Sequence, residues 1–128
     1  MWILSASTER TAIVGESLAG LFVLETFLLE PALFQRYIVL SPSVWWNRNH
    51  LLRTAEGPLP GLSGLERTLF VATAKEEIEA GATDTLAVSL KARTLRGLTL
   101  YYEPRPDLLH STIFRAAAPG AFAKVLKP

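Results

Sequence analysis

The sequence predicts an α/β domain: a parallel sheet of about four strands with helices on both faces. Three observations predict it. Short, continuously apolar, β-rich runs recur at Thr11–Val14, Tyr37–Leu40, Thr68–Thr73 and Leu98–Tyr102, as expected of strands covered on both faces. Segments of helical character separate them, and that alternation belongs to parallel sheets. Breakers punctuate the boundaries, most densely at Gly57-Pro58-Leu59-Pro60-Gly61, which reads as a loop.

The first strand ends at Gly15. Leu18–Leu29 is apolar nearly all round, the mark of a helix buried on most faces. Pro31 stops it, because proline cannot continue a helix interior. The second strand closes on Ser41-Pro42, and Val44–Arg53 reads as a short helix. After the third strand, Thr83–Arg96 reads as a helix, with Leu86 and Leu90 one turn apart. Arg93 and Arg96 suit its C-terminus, and Gly97 suits the position just past it. After the fourth strand, Pro119 suits the first position of a last helix, with Phe122, Val125 and Leu126 turned inward.

Composition removes several classes of function. A chain of 128 residues fits one domain. Thirteen basic against twelve acidic residues give a net charge of +1. That supplies no field for steering nucleic acid or anionic membranes, so neither partner is expected. The absence of cysteine excludes disulfide scaffolds and thiolate zinc sites. The most apolar stretch, Leu18–Leu29, contains Glu25 and is far shorter than the ~20 residues of a membrane span. Met1–Ser5 has no basic region before its apolar stub, so no signal peptide is expected in this chain, and a cytoplasmic location is the default.

The chemistry concentrates at Gly15-Glu16-Ser17-Leu18-Ala19-Gly20, between a strand and a helix. A phosphate-binding P-loop would need Lys and Ser/Thr after the second glycine, where Leu21 and Phe22 stand. A dinucleotide fingerprint would need glycine in place of Ser17. Two readings of Ser17 are left. It is a nucleophile on a sharp strand-to-helix elbow, with the Leu18 N–H facing the developing oxyanion, or it is a helix N-cap. A nucleophile needs a base, and the chain has two histidines. His110 follows the fourth strand, last in the order Ser, acid, His; taken alone it is an ordinary loop histidine. His50 reads as a surface residue. The acid should follow the third strand, where Glu76 and Glu77 lie, a pair that alone reads as solvated charge. Asp107 is a rival acid near His110, or a cap of its own turn. If the 76–77 segment is extended, the two glutamates point in opposite directions and one of them reaches His110.

Thr8–Phe22 resembles the elbow region of an esterase family of α/β-hydrolases, which includes esterase D-like enzymes and siderophore trilactone esterases. Tyr37–Leu40 running into Ser41-Pro42-Ser43-Val44-Trp45-Trp46 resembles that family's strand and Ser-Pro-Ser-x-Trp-Trp signature. His110–Phe114, then Pro119 and an apolar helix, are similar to its histidine loop and last helix. Glu16 and Ala19 depart from the common His and Gly of the family elbow, and Ala74 replaces the usual glycine before the acid.

The resemblance implies hydrolysis of carboxylic esters of small molecules through an acyl-serine. Ser17 would be nucleophile, His110 base, Glu77 or Glu76 acid with family spacing favouring Glu77, and Leu18 the oxyanion donor. Trp45 and Trp46 would lie near the substrate pocket; otherwise they pack in the core. No metal or cofactor is implied. The resemblance also implies the later half of an α/β-hydrolase, with the strands that precede the elbow strand absent. On that reading Thr11–Val14 is an exposed edge through which the chain self-associates, and the oxyanion site lacks its second donor. The alternative is a non-catalytic remnant acting at most as a binding module.

Overall fold

The computed structural model describes residues 2–5, 11–62 and 64–126. The strands are β1 (Trp2–Ser5), β2 (Thr11–Glu16), β3 (Arg36–Leu40), β4 (Arg67–Thr73) and β5 (Leu98–Pro104). The helices are α1 (Leu18–Leu29), α2 (Trp46–Glu56), α3 (Lys75–Ala80), α4 (Ala82–Ala92) and α5 (Ile113–Val125), with a 3-10 turn at Pro31–Leu33. The strands form one five-stranded sheet in the order β1-β2-β3-β4-β5. β2 to β5 are parallel, as the continuous apolar runs require.

Alternation along each strand divides the core. Ile13, Tyr37, Val39, Leu69 and Val71 pack with α1, α2 and α4. Val14, Ile38, Leu40, Phe70 and Ala72 turn the other way and pack on α5. The buried middle positions of the central strands are thus apolar on both faces, because each faces one layer or the other.

Several expectations need correction. Thr11–Val14 is not a sheet edge: β1 pairs antiparallel along it, Trp2 opposite Val14 through Ser5 opposite Thr11. Four residues are too few to show a period, and Trp2 and Ile3 are exposed, so β1 is set by its partner strand. The α1 helix is buried on most faces, as expected, and keeps one solvent strip at Leu18, Phe22 and Leu29. Lys75–Ala80 is helical, not extended. The fourth helix ends at Ala92, not Arg96; Thr94 turns left-handed, and Gly97, at φ 84°, opens the way into β5. Arg93 there donates to the carbonyls of Ala55 and Gly57, closing the C-terminus of α2.

The last helix begins at Ile113, so Pro119 is internal. The buried stripe Ile113, Ala117, Ala121 and Val125 at a spacing of four holds the helix to the sheet, while Pro119 faces solvent. Phe122 is half-buried and Leu126 is exposed, leaving Val125 as the inward residue of the expected three. The α2 helix starts two residues later than expected, and Asn47, Arg48 and Asn49 are all left-handed at φ 51°, 54° and 60°, so its regular turns begin at His50.

Tyr37 locks the α1-to-β3 connection. Its ring is 0% exposed. Its hydroxyl donates to the Pro31 carbonyl at 3.0 Å and accepts from the Phe34 N–H at 3.1 Å. Removing the hydroxyl strands both groups, so Tyr37→Phe should lower unfolding free energy by about 1–3 kcal/mol in urea. Burial raises the Tyr37 phenol above its ordinary 10.0. The folded state therefore keeps a proton that the unfolded chain loses, and stability falls as pH rises past that value. Tyr37→Phe should make that fall shallower; an unchanged urea midpoint and alkaline slope would contradict this role.

Candidate active site

Glycine at two positions lets the chain turn sharply from β2 into α1. A Cβ on Gly15 would lie 2.5 Å from the Ala19 carbonyl oxygen, and one on Gly20 would lie 3.2 Å from the Gly15 oxygen. The first turn of α1 therefore folds hard against its own strand. Ser17, at the corner, takes φ 60° and ψ −122°. A non-glycine residue in such a conformation carries about 1–3 kcal/mol of strain and persists only where its surroundings hold it.

Here they do. The Ser17 N–H donates to the Leu40 carbonyl at 3.1 Å, and the Ser17 carbonyl accepts from Leu21 at 3.0 Å and Ser43 at 3.1 Å. The Ser17 side chain makes no capping bond to α1, so it is not the N-cap that serine usually supplies. Its hydroxyl is turned toward two other groups, the Ser43 hydroxyl at 3.4 Å and His110 Nε2 at 3.2 Å.

The Ser41-Pro42-Ser43 segment explains part of that arrangement. Ser41 is buried and left-handed at φ 46°, and its N–H donates to Ala72 at 2.8 Å. The turn this makes carries the Ser43 N–H back to Ser17. Ser43 had no role in the sequence reading, because its contribution is a backbone donor and a short hydroxyl with no pattern of its own.

His110 arrives on the loop between β5 and α5. That loop is tied to α3 by the Lys75 N–H, which donates to Leu108 at 2.9 Å. His110 Nδ1 lies 3.2 Å from Glu77 Oε1. A carboxylate accepts, so the tautomer that fits this contact has its proton on Nδ1 and its Nε2 lone pair toward Ser17. Glu77 is 6% exposed and the His110 side chain 40%. Glu76 also reaches His110, at a different atom: both its oxygens accept from the backbone N–H, at 3.1 and 3.0 Å. That bond holds the Glu76 carboxyl below its ordinary range. Consecutive residues of a helix diverge by about 100°, and this brings both glutamates to one histidine where a strand would have sent them apart. Asp107 is engaged elsewhere. Arg105 Nε and Nη2 grip its carboxylate at 3.0 and 2.9 Å and hold its pKa down.

Trp45 and Trp46 are not core residues: they are 55% and 51% exposed and meet edge to face. Trp46 lines a groove of about 370 Å³ between α1 and α2, shared with Leu18, Leu21, Phe22 and the exposed His50. Leu18 and Phe22 enter it because they stand one turn apart on the outer face of α1, a face hidden in a sequence apolar on all sides. Leu18 is the first residue of α1, so its N–H has no acceptor within the helix. No cluster of His, Asp or Glu able to hold a metal ion is present among the described residues, and no described helix is long and apolar enough to cross a membrane.

Comparison with known proteins gives these residues a context. A family model described as Putative esterase matches residues 4–88, more than half of the chain. A siderophore enterobactin esterase of Emericella nidulans is 40% identical over 55 residues, 43% of this chain and 18% of that protein. The ferri-bacillibactin esterase BesA of Bacillus subtilis is 46% identical over 48 residues, 38% of this chain and 17% of that protein. Among solved structures, the BES protein from Bacillus cereus superposes with TM-score 0.72 at 25% identity, over 85% of this chain and 42% of that one. The siderophore hydrolase EstA from Aspergillus nidulans superposes with TM-score 0.71 over 89% of this chain and 46% of that one; at 22% identity it speaks for the fold alone. The chain spans less than half the length of either structure.

The two glycine environments at the elbow and in α5 predict opposite responses to a methyl group. Gly15→Ala drives a Cβ into backbone and should destabilise by about 1–3 kcal/mol or more. Gly120 lies inside α5 with nothing within 4 Å of a built Cβ, so Gly120→Ala should stabilise by about 0.5–1 kcal/mol. Urea midpoints of the two variants check this, and a neutral Gly15→Ala would show that the turn is looser than described.

Proposed function

The chain belongs to this esterase family, and from that premise we propose that it carries the chemistry of a carboxylic ester hydrolase, with Ser17 as nucleophile, His110 as general base and Glu77 as the orienting acid. The observation that carries the proposal is the run of two 3.2 Å contacts, Glu77 to His110 to Ser17, ending on a strained elbow. His110 Nε2 takes the Ser17 proton as Oγ attacks the ester carbonyl. The Leu18 N–H stabilises the oxyanion, since a donor aimed at developing charge acts most in the transition state. Collapse breaks the bond to the alcohol oxygen, which receives the proton from His110 and leaves an acyl-serine. Water, deprotonated by the same nitrogen, then attacks the acyl carbon; the bond to Ser17 Oγ breaks, Oγ takes the proton back from His110, and the acid is released. Glu77 keeps the Nδ1 proton in place and stabilises the imidazolium between steps.

The groove beside Leu18 takes the organic part of a small-molecule ester, with Trp46 as its wall and Trp45 leaning on it. Two of the relatives named above are a siderophore enterobactin esterase and a siderophore hydrolase, so a siderophore-type lactone is the first natural substrate to test. The 128 residues are read as one unit. In the described sheet the edge open to self-association is β1, where Trp2 and Ile3 are exposed, and not β2.

The test is hydrolysis of p-nitrophenyl esters by the 128-residue chain. Ser17→Ala and His110→Ala should each remove turnover above background, and the double variant should lose no more than either alone, because the groups act as a unit. Glu77→Ala should lose about 100-fold or more, the scale of losing the orienting carboxylate, while Asp107→Ala changes little. Small, equal losses from Glu77→Ala and Asp107→Ala would refute the acid assignment.

A further inference from the structure

The second carboxylate on His110 has no part in the steps above. Glu76 stands in the first turn of α3, and both its oxygens accept from the His110 backbone N–H, at 3.1 and 3.0 Å. Its neighbour Glu77 holds the ring of the same residue. His110 itself lies outside any strand or helix, in the stretch between Pro104 and Ile113. A ring carried on such a loop keeps its place only if the backbone beneath it is held. The Lys75 N–H bond to Leu108 fixes the loop two residues earlier, and the Glu76 contact fixes it at His110. The Nε2 to Ser17 contact is 3.2 Å, so a shift of the loop by ~1 Å would break it, a displacement that can lower rate by ~100-fold.

We propose that Glu76 is a positioning residue, a latch whose ionised carboxylate holds the His110 backbone so that the imidazole spans Glu77 and Ser17. The proposal rests on the hydrolase reading for its effect on rate, though the latch is a statement about structure. A charged acceptor makes the stronger bond, so the latch weakens when Glu76 is protonated. The His110 amide depresses the Glu76 pKa, so the grip is present at neutral pH and lost as pH falls through that lowered value. The charged groups around Glu76 are Lys75 and Glu77 on its own helix and His110 on the facing loop.

The experiment is amide NMR on the 15N-labelled chain, with p-nitrophenyl ester kinetics beside it. The His110 amide proton should lie downfield and move upfield in one acid step as Glu76 protonates. In Glu76→Gln, which keeps a neutral acceptor, the acid step should vanish while the other amides stay in place. In Glu76→Ala the downfield shift should go as well. Glu76→Ala should lower kcat about ten- to a hundredfold with KM little changed, and Glu76→Gln should recover part of it. A His110 amide indifferent to Glu76 overturns the latch. So does an unchanged kcat in Glu76→Ala when the parent shows Ser17-dependent turnover. A parent with no Ser17-dependent turnover overturns the hydrolase reading instead, and the amide titration then decides the latch alone.

Discussion

The backbone of Ser17 is the constraint on which the rest depends. A serine at φ 60° is strained, and relaxation of that corner would swing its hydroxyl away from His110. Three contacts prevent it. The end of β3 takes the Ser17 N–H, the first turn of α1 bonds its carbonyl, and Ser43 bonds the same carbonyl from the next loop. Two glycines allow the close approach that brings those partners in. The Ser-Pro-Ser segment, whose first two members, Ser41 and Pro42, look like a simple strand terminator, is part of this clamp.

The parallel sheet turns that local arrangement into a site. Ser17 follows β2, Ser43 follows β3, Glu76 and Glu77 follow β4, and His110 follows β5. Neighbours in the sheet are neighbours in sequence, so four loops open side by side at the carboxyl ends of four strands, where open α/β sheets place their ligands. The two apolar layers fix the strands, and the strands fix the loop origins. The short bonds between loops set the final ångström: Ser41 to Ala72, Lys75 to Leu108, Arg105 to Thr73.

The strands, and the placing of Ser17, Glu76–Glu77 and His110 after successive strands, were legible because they rest on strong patterns. A strand buried on both faces is continuously apolar, and a strand-to-helix elbow needs small residues at fixed spacing. What was not legible rests on weak or short signals. The β1 strand is four residues long and has no period. The start of α5 is written in alanines, whose contrast with their neighbours is slight, so Pro119 was the louder mark and misplaced the helix by six residues. The six-residue α3 shows no amphipathic pattern, and without its helical turn the Glu76–Glu77 pair could not be seen to meet one histidine at two atoms. The solvent face of α1 and the groove on it were masked by a segment apolar all round, in which inner and outer positions look alike.

The central claim is that the elbow presents Ser17, and no neighbouring hydroxyl, as an activated nucleophile. The direct measurement is covalent labelling of the chain with a fluorophosphonate, the modified residue being located by tandem mass spectrometry. A single adduct is expected on Ser17, lost when His110 is replaced by alanine. An adduct on Ser43, whose hydroxyl lies 3.4 Å from that of Ser17, or no adduct after prolonged exposure of the folded chain, would contradict it.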